Sequence, residues 1–345
     1  MKRISLKSIY TVSKQILIAH GVSDSYSEII ADTICYANFI EMHTHGIGRM
    51  PLYLKNIDSG TIIADAKMKI VKNKASIALI DANHGFGQVA AKSAIDLGVE
   101  KAKKYGIALV GVKNSNNFGV AGYYSRQAAE MKAVSIILAN AAPAVAPPGG
   151  TVPIFGTNPL SFSLPGSSNN PEIVFDMATT VAARGKIRLS EKKGGKIPFG
   201  WALDSAGNPT DDPKKALEGT LLAIGGYKGF GLSFMVDALA GMLTGSAFAG
   251  QVKALGDLSD YSASGNIFIF IDPYLFLEDE NEYEQRLDTF INNIRNCAKD
   301  REIYIPGDSY RNKKNKNIKS VNLPEVQVKE INEIIADLGL SMKFE

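Results

Sequence analysis

The spacing of apolar residues predicts helices at both ends of the chain and alternating strands and helices between them. Leu6, Ile9 and Val12 recur at helical spacing with polar residues between them, and two helices are predicted over 5–42. Pro51 suits the first turn of a third helix, which Gly60 ends. Further helices are predicted over 88–104, 120–131, 230–245 and 278–299, and from Pro324 onwards. Apolar runs predict strands over 67–71, 76–81, 107–112, 134–140, 172–178 and 266–272.

Two stretches between these elements bear on the architecture. Residues 141–166 are dense in proline and glycine, which forbids long regular elements and predicts a structured loop region that shapes a site. The strand at 76–81 is followed by Gly85 and Gly87 in the G-x-G-x-x-A spacing of a Rossmann nucleotide site. The next strand, however, ends in Lys113 and Asn114 instead of the carboxylate that holds an adenosine ribose. We therefore interpret the two glycines as serving a turn and close helix packing.

Composition and charge exclude several classes of protein. With 345 residues and 45% hydrophobic content, the chain can bury a substantial core in two or three lobes. The net charge is only +3, and the basic cluster at 311–319 has no interleaved aromatic residue, so we expect a solvated loop there and no nucleic-acid partner. No apolar run approaches transmembrane length, so no membrane partner is expected. Cys35 and Cys297 have no metal or redox spacing, which predicts buried thiols in a reducing cytoplasm.

The segment MHTHGIGRMPLY, residues 42–53, has the composition of a small-anion active site. Gly46 and Gly48 are expected to take positive φ angles beside His45. Imidazole suits proton transfer near neutral pH, and the planar fork of Arg49 suits a carboxylate. The alternative is that the His-Gly pair is an ordinary turn. A metal site on His43 and His45 lacks a further clustered ligand, so no metal is expected.

A second glycine-rich segment, residues 225–232, precedes an apolar helix. Clustered glycines before a helix N-terminus expose backbone N–H groups to an anion, and Lys228 adds a positive charge among them. This arrangement suits a dinucleotide. The alternative is a flexible turn with a solvated lysine. The segment is not a Walker A loop, because its spacing differs and no Ser or Thr follows Lys228.

Eight segments together carry a resemblance: THGIGRMPLY, DANHGFGQVAA, NSNNFGVAGYY, APPGGTVPIFGTNPLSF, VFDMATTVAARGKI, GYKGFGLSFMVDALAGMLTG, NIFIFID and YIPGD. In this order they resemble the malate/L-lactate dehydrogenase-like family of NAD(P)H-dependent oxidoreductases. That family also holds ureidoglycolate dehydrogenase, diketogulonate reductase, sulfolactate dehydrogenase and piperideine-2-carboxylate reductase. The resemblance covers nearly the whole chain, and the joint occurrence of the segments is more specific than any one of them.

The resemblance implies a non-Rossmann α/β fold in which a mixed sheet binds the dinucleotide and the N- and C-terminal helices pack together. The domains it implies are an N-terminal helical segment, 1–70, joined by C-terminal helices in 275–345, and a mixed α/β region over 71–274 with a substrate-loop insertion near 117–166. It also implies NAD or NADP as the cofactor and a small carboxylate substrate with an α-keto, α-hydroxy or cyclic α-imino group. The implied assembly is a homodimer whose subunits complete each other's active sites.

Carried over residue by residue, the resemblance implies that Thr44 and His45 supply the catalytic proton and that Asp176 completes the relay. Arg49 and Tyr53 resemble the substrate-facing pair. The segments that resemble the dinucleotide contacts hold Met177, Ala178, Thr179, Thr180, Tyr227, Lys228, Pro306, Gly307 and Asp308.

The chain departs from the family at Asn117, where most relatives have a histidine. Asparagine can hydrogen-bond a substrate oxygen but cannot exchange a proton near neutral pH, so His45 is left as the imidazole acid. Two hypotheses remain. The first is a reductase of an α-keto or cyclic α-imino acid that works through His45. The second is a non-catalytic relative that keeps the dinucleotide pocket and serves as a binding or scaffold protein.

Overall fold

A mixed sheet of seven strands lies at the centre of the fold in the computed structural model, which describes residues 1–345. The eleven strands are, in chain order, β1 (Lys2–Ser5), β2 (Lys69–Lys74), β3 (Ile77–Asp81), β4 (Ile107–Ser115), β5 (Val134–Ala139), β6 (Leu160–Leu164), β7 (Ile173–Met177), β8 (Ala202–Leu203), β9 (Thr220–Leu221), β10 (Ser264–Ile271) and β11 (Ser320–Leu323). The central sheet has the order β2-β3-β4-β10-β5-β6-β7. Only β3 and β4 pair in parallel, so the sheet is mixed, as predicted.

Helices surround this sheet and fill both ends of the chain. The eleven α-helices are α1 (Leu6–Ala19), α2 (Asp24–Phe39), α3 (Met50–Asp58), α4 (Gly87–Tyr105), α5 (Ala121–Glu130), α6 (Arg184–Lys192), α7 (Pro213–Glu218), α8 (Tyr227–Asp237), α9 (Glu280–Arg295), α10 (Asp308–Asn315) and α11 (Glu325–Asp337). Helix α8 continues as a π-helical stretch, Ala238–Met242. None of the helices combines the length and the apolar character that a membrane crossing requires.

The two ends of the chain share one hydrophobic core. Strand β1 pairs antiparallel with β11, and a cluster of 22 buried residues joins Ile9 and Ile16 of α1 to Ile331 of α11. The apolar face that the sequence predicts for α1 therefore lies in a core to which the C-terminal helix also contributes, with α2 as the main neighbour of α1. Helix α9 differs, because its Leu287 and Ile291 pack against β6 and β7 at the edge of the central sheet.

A second cluster of 22 buried residues lies between the sheet and helices α4 and α5. Glycines permit three close approaches in and beside this cluster. A Cβ at Gly98 of α4 would lie 2.1 Å from the ring of Phe270 in β10, and a Cβ at Gly87 would lie 2.1 Å from the carbonyl oxygen of Asn116. A Cβ at Gly85 would lie 2.6 Å from Ala66 Cβ. The interpretation of Gly85 and Gly87 as turn and packing residues is confirmed.

Strand β6 and helices α6, α7 and α10 lie where no strand or helix was predicted. Strand β6 lies inside the proline-rich stretch 141–166, because its prolines, Pro159 and Pro165, flank the strand and leave its backbone free to pair with β5 and β7. The cluster at 311–319 is not simply a loop, since α10 runs to Asn315, and of its basic residues Lys314 is exposed whereas Arg311 and Lys313 are half-buried. Helices α6 and α7 were not predicted.

The expectation of two buried thiols is wrong for one of them. Cys35 is half-buried, whereas Cys297 is exposed, and both are free.

Candidate active site

The Thr44–His45 pair lies in a tight turn between α2 and α3. The hydroxyl oxygen of Thr44 is 3.0 Å from His45 Nδ1, within hydrogen-bond distance. Asn38, near the end of α2, fixes this turn, because its side-chain oxygen accepts the Ile47 N–H at 2.8 Å. The imidazole is thus held by its own neighbour and by the helix before it.

The glycines of this turn serve close packing, and the expectation of positive φ angles is wrong. Gly46 has φ −86°, and Gly48 is likewise not in the left-handed region. A Cβ at Gly46 would lie 2.4 Å from Asn38 Oδ1, and one at Gly48 would lie 2.6 Å from Gln327 Nε2 of α11. Any larger residue would therefore push the turn away from the helices that hold it.

Arg49 reaches back to the same turn from the start of α3. Its Nε donates to the Thr44 carbonyl oxygen at 2.5 Å. Burial lowers the pKa of Arg49, and the positive charge of Arg188 lowers it further. Burial, together with the charge of Arg49, lowers the pKa of His45 to about 3. His45 is therefore neutral in the free protein at physiological pH, and one of its ring nitrogens is free to accept a proton.

Helix α6 brings two arginines to this turn that the sequence analysis missed. A Cβ at Gly185 would lie 2.4 Å from Thr44 Cγ2, so the first turn of α6 rests directly on Thr44. Arg184 and Arg188 flank this contact on α6. A signal was present in the sequence, because RGKIR places two arginines four residues apart, on one face of a helix.

Tyr53 and Asn117 form one hydrogen-bonded unit with Gln88. The Tyr53 hydroxyl donates to Asn117 Oδ1 at 3.1 Å and accepts from Gln88 Nε2 at 2.9 Å. Asn117 Oδ1 also accepts the Gly119 N–H at 3.3 Å. Tyr53 is completely buried, so it is not an exposed contact surface, and its hydroxyl is linked to the half-buried Asn117.

Asp176 does not contact His45 within the chain. Its Oδ2 accepts the Gly122 N–H at 2.8 Å from the start of α5. Burial raises the pKa of Asp176 to about 6, although this hydrogen bond acts in the opposite direction. The predicted relay between Asp176 and His45 is therefore not formed by side chains of a single subunit, and the relay stays a prediction.

The structure brings Met177–Thr180 together with the glycine-rich segment before α8. The Ile224 N–H donates to the Thr179 carbonyl oxygen at 2.9 Å, and Thr180 forms a bridge with Ala223. Gly225 and Gly226 then turn the chain into α8 with φ angles of +61° and +64°. Tyr227 and Lys228 are exposed in the first turn of that helix.

The segment Pro306–Asp308 lies elsewhere, beside the opposite end of β7. A Cβ at Gly307 would lie 3.3 Å from the Glu172 carbonyl oxygen, which precedes β7, whereas Asp176 and Met177 end that strand. The Asp308 carboxylate pairs with Arg295 at 2.9 Å and Arg311 at 3.3 Å, and accepts the Ile305 N–H at 3.0 Å. These contacts indicate a structural role for Asp308.

Comparison with known proteins agrees with this architecture. Residues 4–332 match the sequence profile of the malate/L-lactate dehydrogenase family. A malate/(S)-sulfolactate dehydrogenase from Methanothermus fervidus is 41% identical over 331 residues, which is 96% of each chain. A Δ1-pyrroline-2-carboxylate reductase from Ancylobacter novellus is 36% identical over 276 residues, which is 79% of this chain and 80% of the reductase.

The fold agrees as well. The sulfolactate dehydrogenase structure from Methanocaldococcus jannaschii superposes with a TM-score of 0.91 and 35% identity, covering 98% of each chain. The profile match, the extent of the sequence identity and the shared fold all cover nearly the full length. This chain therefore belongs to the malate/L-lactate dehydrogenase family.

Proposed function

We propose that this chain transfers a hydride between NAD(P)H and carbon 2 of a small acid that carries a 2-oxo, 2-hydroxy or cyclic imino group, with His45 as the proton donor. The observation that carries the proposal is the joint geometry of Thr44, His45 and Arg49, which places an imidazole and a half-buried guanidinium on one turn. The relatives named dehydrogenases of malate and sulfolactate and reductases of a cyclic imino acid support the reaction type.

Arg49 would hold the substrate carboxylate. Within the chain only its Nε is engaged, by the Thr44 carbonyl oxygen, so its terminal N–H groups remain to face a carboxylate in a two-pronged contact. Because Arg188 repels the half-buried Arg49 guanidinium, a bound anion would offset part of that repulsion. The same contact would fix carbon 2 of the substrate close to His45.

His45 would exchange the proton. The Thr44 hydroxyl is within hydrogen-bond distance of His45 Nδ1. This leaves Nε2 as the ring nitrogen that can exchange a proton with the substrate oxygen or nitrogen. In the free protein the imidazole is neutral, which suits removal of the hydroxyl proton in the oxidation direction. For reduction, a carboxylate bound to Arg49 would offset the positive charge there and favour the protonated imidazole. Asn117 would hydrogen-bond the substrate, with Tyr53 holding its side chain in place.

The residues around α8 fit a dinucleotide. When bound, nicotinamide supplies or accepts the hydride. The positive φ angles of Gly225 and Gly226, the exposed first turn of α8 and Lys228 provide backbone N–H donors and a cation for a pyrophosphate. A Cβ at Gly229 would lie 2.1 Å from the Ile224 carbonyl oxygen, so this approach requires glycine. We assign Met177, Ala178, Thr179, Thr180, Tyr227 and Lys228 to the contact, and Pro306 and Gly307 to its far end.

A homodimer with shared active sites is part of the proposal. Helix α8 and its π-helical extension expose large apolar side chains: Leu232 is 45% exposed, Met235 52%, Met242 58% and Leu243 62%. Such a cluster on a helix next to the dinucleotide residues favours a second copy of the chain as its cover. The absence of an Asp176–His45 contact within one chain supports a site completed across the interface.

The free thiols and the shared core of the chain ends support a proposed cellular location and a proposed division into domains. The free thiols Cys35 and Cys297 support a cytoplasmic location. The shared core of the chain ends supports a unit formed by 1–70 with part of 275–345, beside the mixed region 71–274. Within 275–345, α9 packs on the mixed region. We therefore group α9 with that region and propose the domain boundary between α9 and α10.

The test is a turnover assay with NADH and NADPH on a series of 2-oxo acids and cyclic imines. We expect His45→Ala to lower kcat by about 10²–10⁴ while it retains dinucleotide affinity, because an acid is lost and not a binding contact. His20→Ala, an imidazole at the end of α1, serves as the matched control and should keep the parent rate. Dinucleotide binding without turnover of any substrate would contradict the proposal and favour the non-catalytic alternative.

A further inference from the structure

A cavity of about 460 Å³ opens where the two ends of the chain meet. The pairing of β1 with β11 forms one wall, and residues at the ends of α2 and α10 form the others. The volume lies within the range of pockets that hold small molecules, roughly 300–1,000 Å³. None of the residues proposed for the substrate or the dinucleotide lines this cavity.

Positive charge dominates the lining of the cavity. Four cations line it against a single carboxylate, that of Glu41, and the four are Arg3, Lys313, Lys316 and Lys319. Only Lys313 among them forms an ion pair. Like charges around a concave surface repel one another and concentrate positive potential in the space between them, so a bound anion would lower the electrostatic energy of the whole group.

The negative end of the α10 dipole accounts for only part of this cluster. Lys313 lies in the last turn of α10 and Lys316 directly follows that helix, where a cation complements the helix dipole. Arg3 lies on β1 and Lys319 directly precedes β11, so neither of them ends a helix. The strand pairing thus adds two cations that no helix end explains.

Lys313 is the cation whose present partner can be displaced. Its Nζ lies 2.7 Å from Glu41 Oε2 and donates to the Phe39 carbonyl oxygen at 3.4 Å. The Glu41 side chain is 66% exposed, and an ion pair with so exposed a carboxylate is weak. Glu41 also has a φ of +63°, a conformation that favours glycine. An anion in the cavity would therefore compete with a carboxylate that is loosely held.

We propose that this cavity is a binding site for a small phosphate ester, separate from the proposed active site. A phosphate group carries close to two negative charges and three acceptor oxygens, which suits a cluster of several cations better than a single carboxylate does. Phe39 and Ile318 line the same cavity and are half-buried, so they offer an apolar surface to the organic part of the ligand. On binding, the phosphate replaces Glu41 at Lys313. The inference does not depend on the proposed function.

Calorimetric titration of the full chain with phenyl phosphate tests the site. We expect the double variant Lys316→Ala, Lys319→Ala to weaken binding about tenfold or more, since two charge-assisted contacts are lost. The matched control, Lys72→Ala, Lys74→Ala, removes two exposed lysines from β2 and should bind as the wild type does. Glu41→Gln removes the competing carboxylate and should tighten binding by about two- to fivefold, which corresponds to one exposed ion pair. Inorganic phosphate, which has no organic part, should bind more weakly than phenyl phosphate.

Equal losses in the two double variants would overturn the site, because they would show a general attraction of anions to a basic protein. A wild type that binds no phenyl phosphate would leave the lysines as a solvated surface. Displacement of phenyl phosphate by NADPH would assign the cavity to the dinucleotide. Displacement by vesicles that contain phosphatidylserine, but not by vesicles of phosphatidylcholine alone, would assign it to a lipid headgroup. Either displacement would refute a separate site for a soluble phosphate ester.

Discussion

At the scale of single residues, the pKa of His45 is set by its surroundings. Burial and the neighbouring Arg49 keep its imidazole neutral down to strongly acid pH. The same residue is charged in the unfolded chain below its ordinary pKa of about 6.5. The unfolded state therefore binds a proton that the folded state does not, and acid must weaken the fold through this residue.

The lowered pKa of His45 makes the free energy of unfolding depend on pH. Because the pKa of folded His45 is lowered to about 3, its contribution is complete above pH ~6.5 and is lost as the pH falls toward 3. At pH 5, about 1.5 pH units below the ordinary value, the loss is about 2 kcal/mol. We expect the wild type to lose this much more unfolding free energy than His45→Gln between pH 8 and pH 5, as measured by urea unfolding. Parallel pH profiles for the two proteins would show that His45 is protonated in the fold.

The site residues differ in how far the sequence alone could identify them. Thr44, His45 and Arg49 follow each other on one turn, so a local motif was sufficient to predict that they meet. Arg184 and Arg188 lie far along the chain, and only the contact of Gly185 with Thr44 brings them in. Such a contact depends on tertiary packing, which local patterns do not encode.

At the scale of elements, the periodicity of apolar residues predicted the long, regular helices and strands. Helices α4 and α5 and strands β5 and β10 were predicted within about two residues, because each buries a continuous apolar face. Short elements were missed where tertiary pairing stabilises them. Strand β6 forms between two partners, and α6 is held by one buried side chain, Ile187, in an otherwise polar sequence.

The first turn of α8 provides the prediction for the cofactor. Lys228 is exposed beside two glycines in left-handed conformations, and we expect Lys228→Ala to weaken dinucleotide binding about tenfold, since a charge-assisted contact worth ~1.5–3 kcal/mol is lost. Nucleotide fluorescence titration measures this. Lys69→Ala, an exposed lysine on β2, is the control and should bind normally. An unchanged affinity in Lys228→Ala would place the phosphates elsewhere.

At the scale of the whole molecule, the exposed apolar surface of α8 and its π-helical extension is the surface through which we propose that two copies associate. We expect the double variant Met242→Glu, Leu243→Glu to halve the mass of the particle in sedimentation, because charges at the centre of an apolar interface oppose association. Activity should fall with it if the site is shared. Phe276→Glu changes an equally apolar residue that is 85% exposed elsewhere, and should leave the mass unchanged. A wild type that sediments as a monomer would refute the homodimer.

The pairing of β1 with β11 also has a consequence for how the protein is made. The ribosome releases α1 and α2 long before α11, although Ile9 and Ile331 belong to the same core. Helices α1 and α2 pack on each other, but until the last helix emerges their shared core lacks Ile331, and the turn that carries His45 lacks its neighbour Gln327. This core therefore stays incomplete until the end of synthesis, which leaves it open to chaperones and proteases until then. A stop codon before α11 would leave this turn held by Asn38 but without its contact to Gln327, although every proposed catalytic residue had been translated.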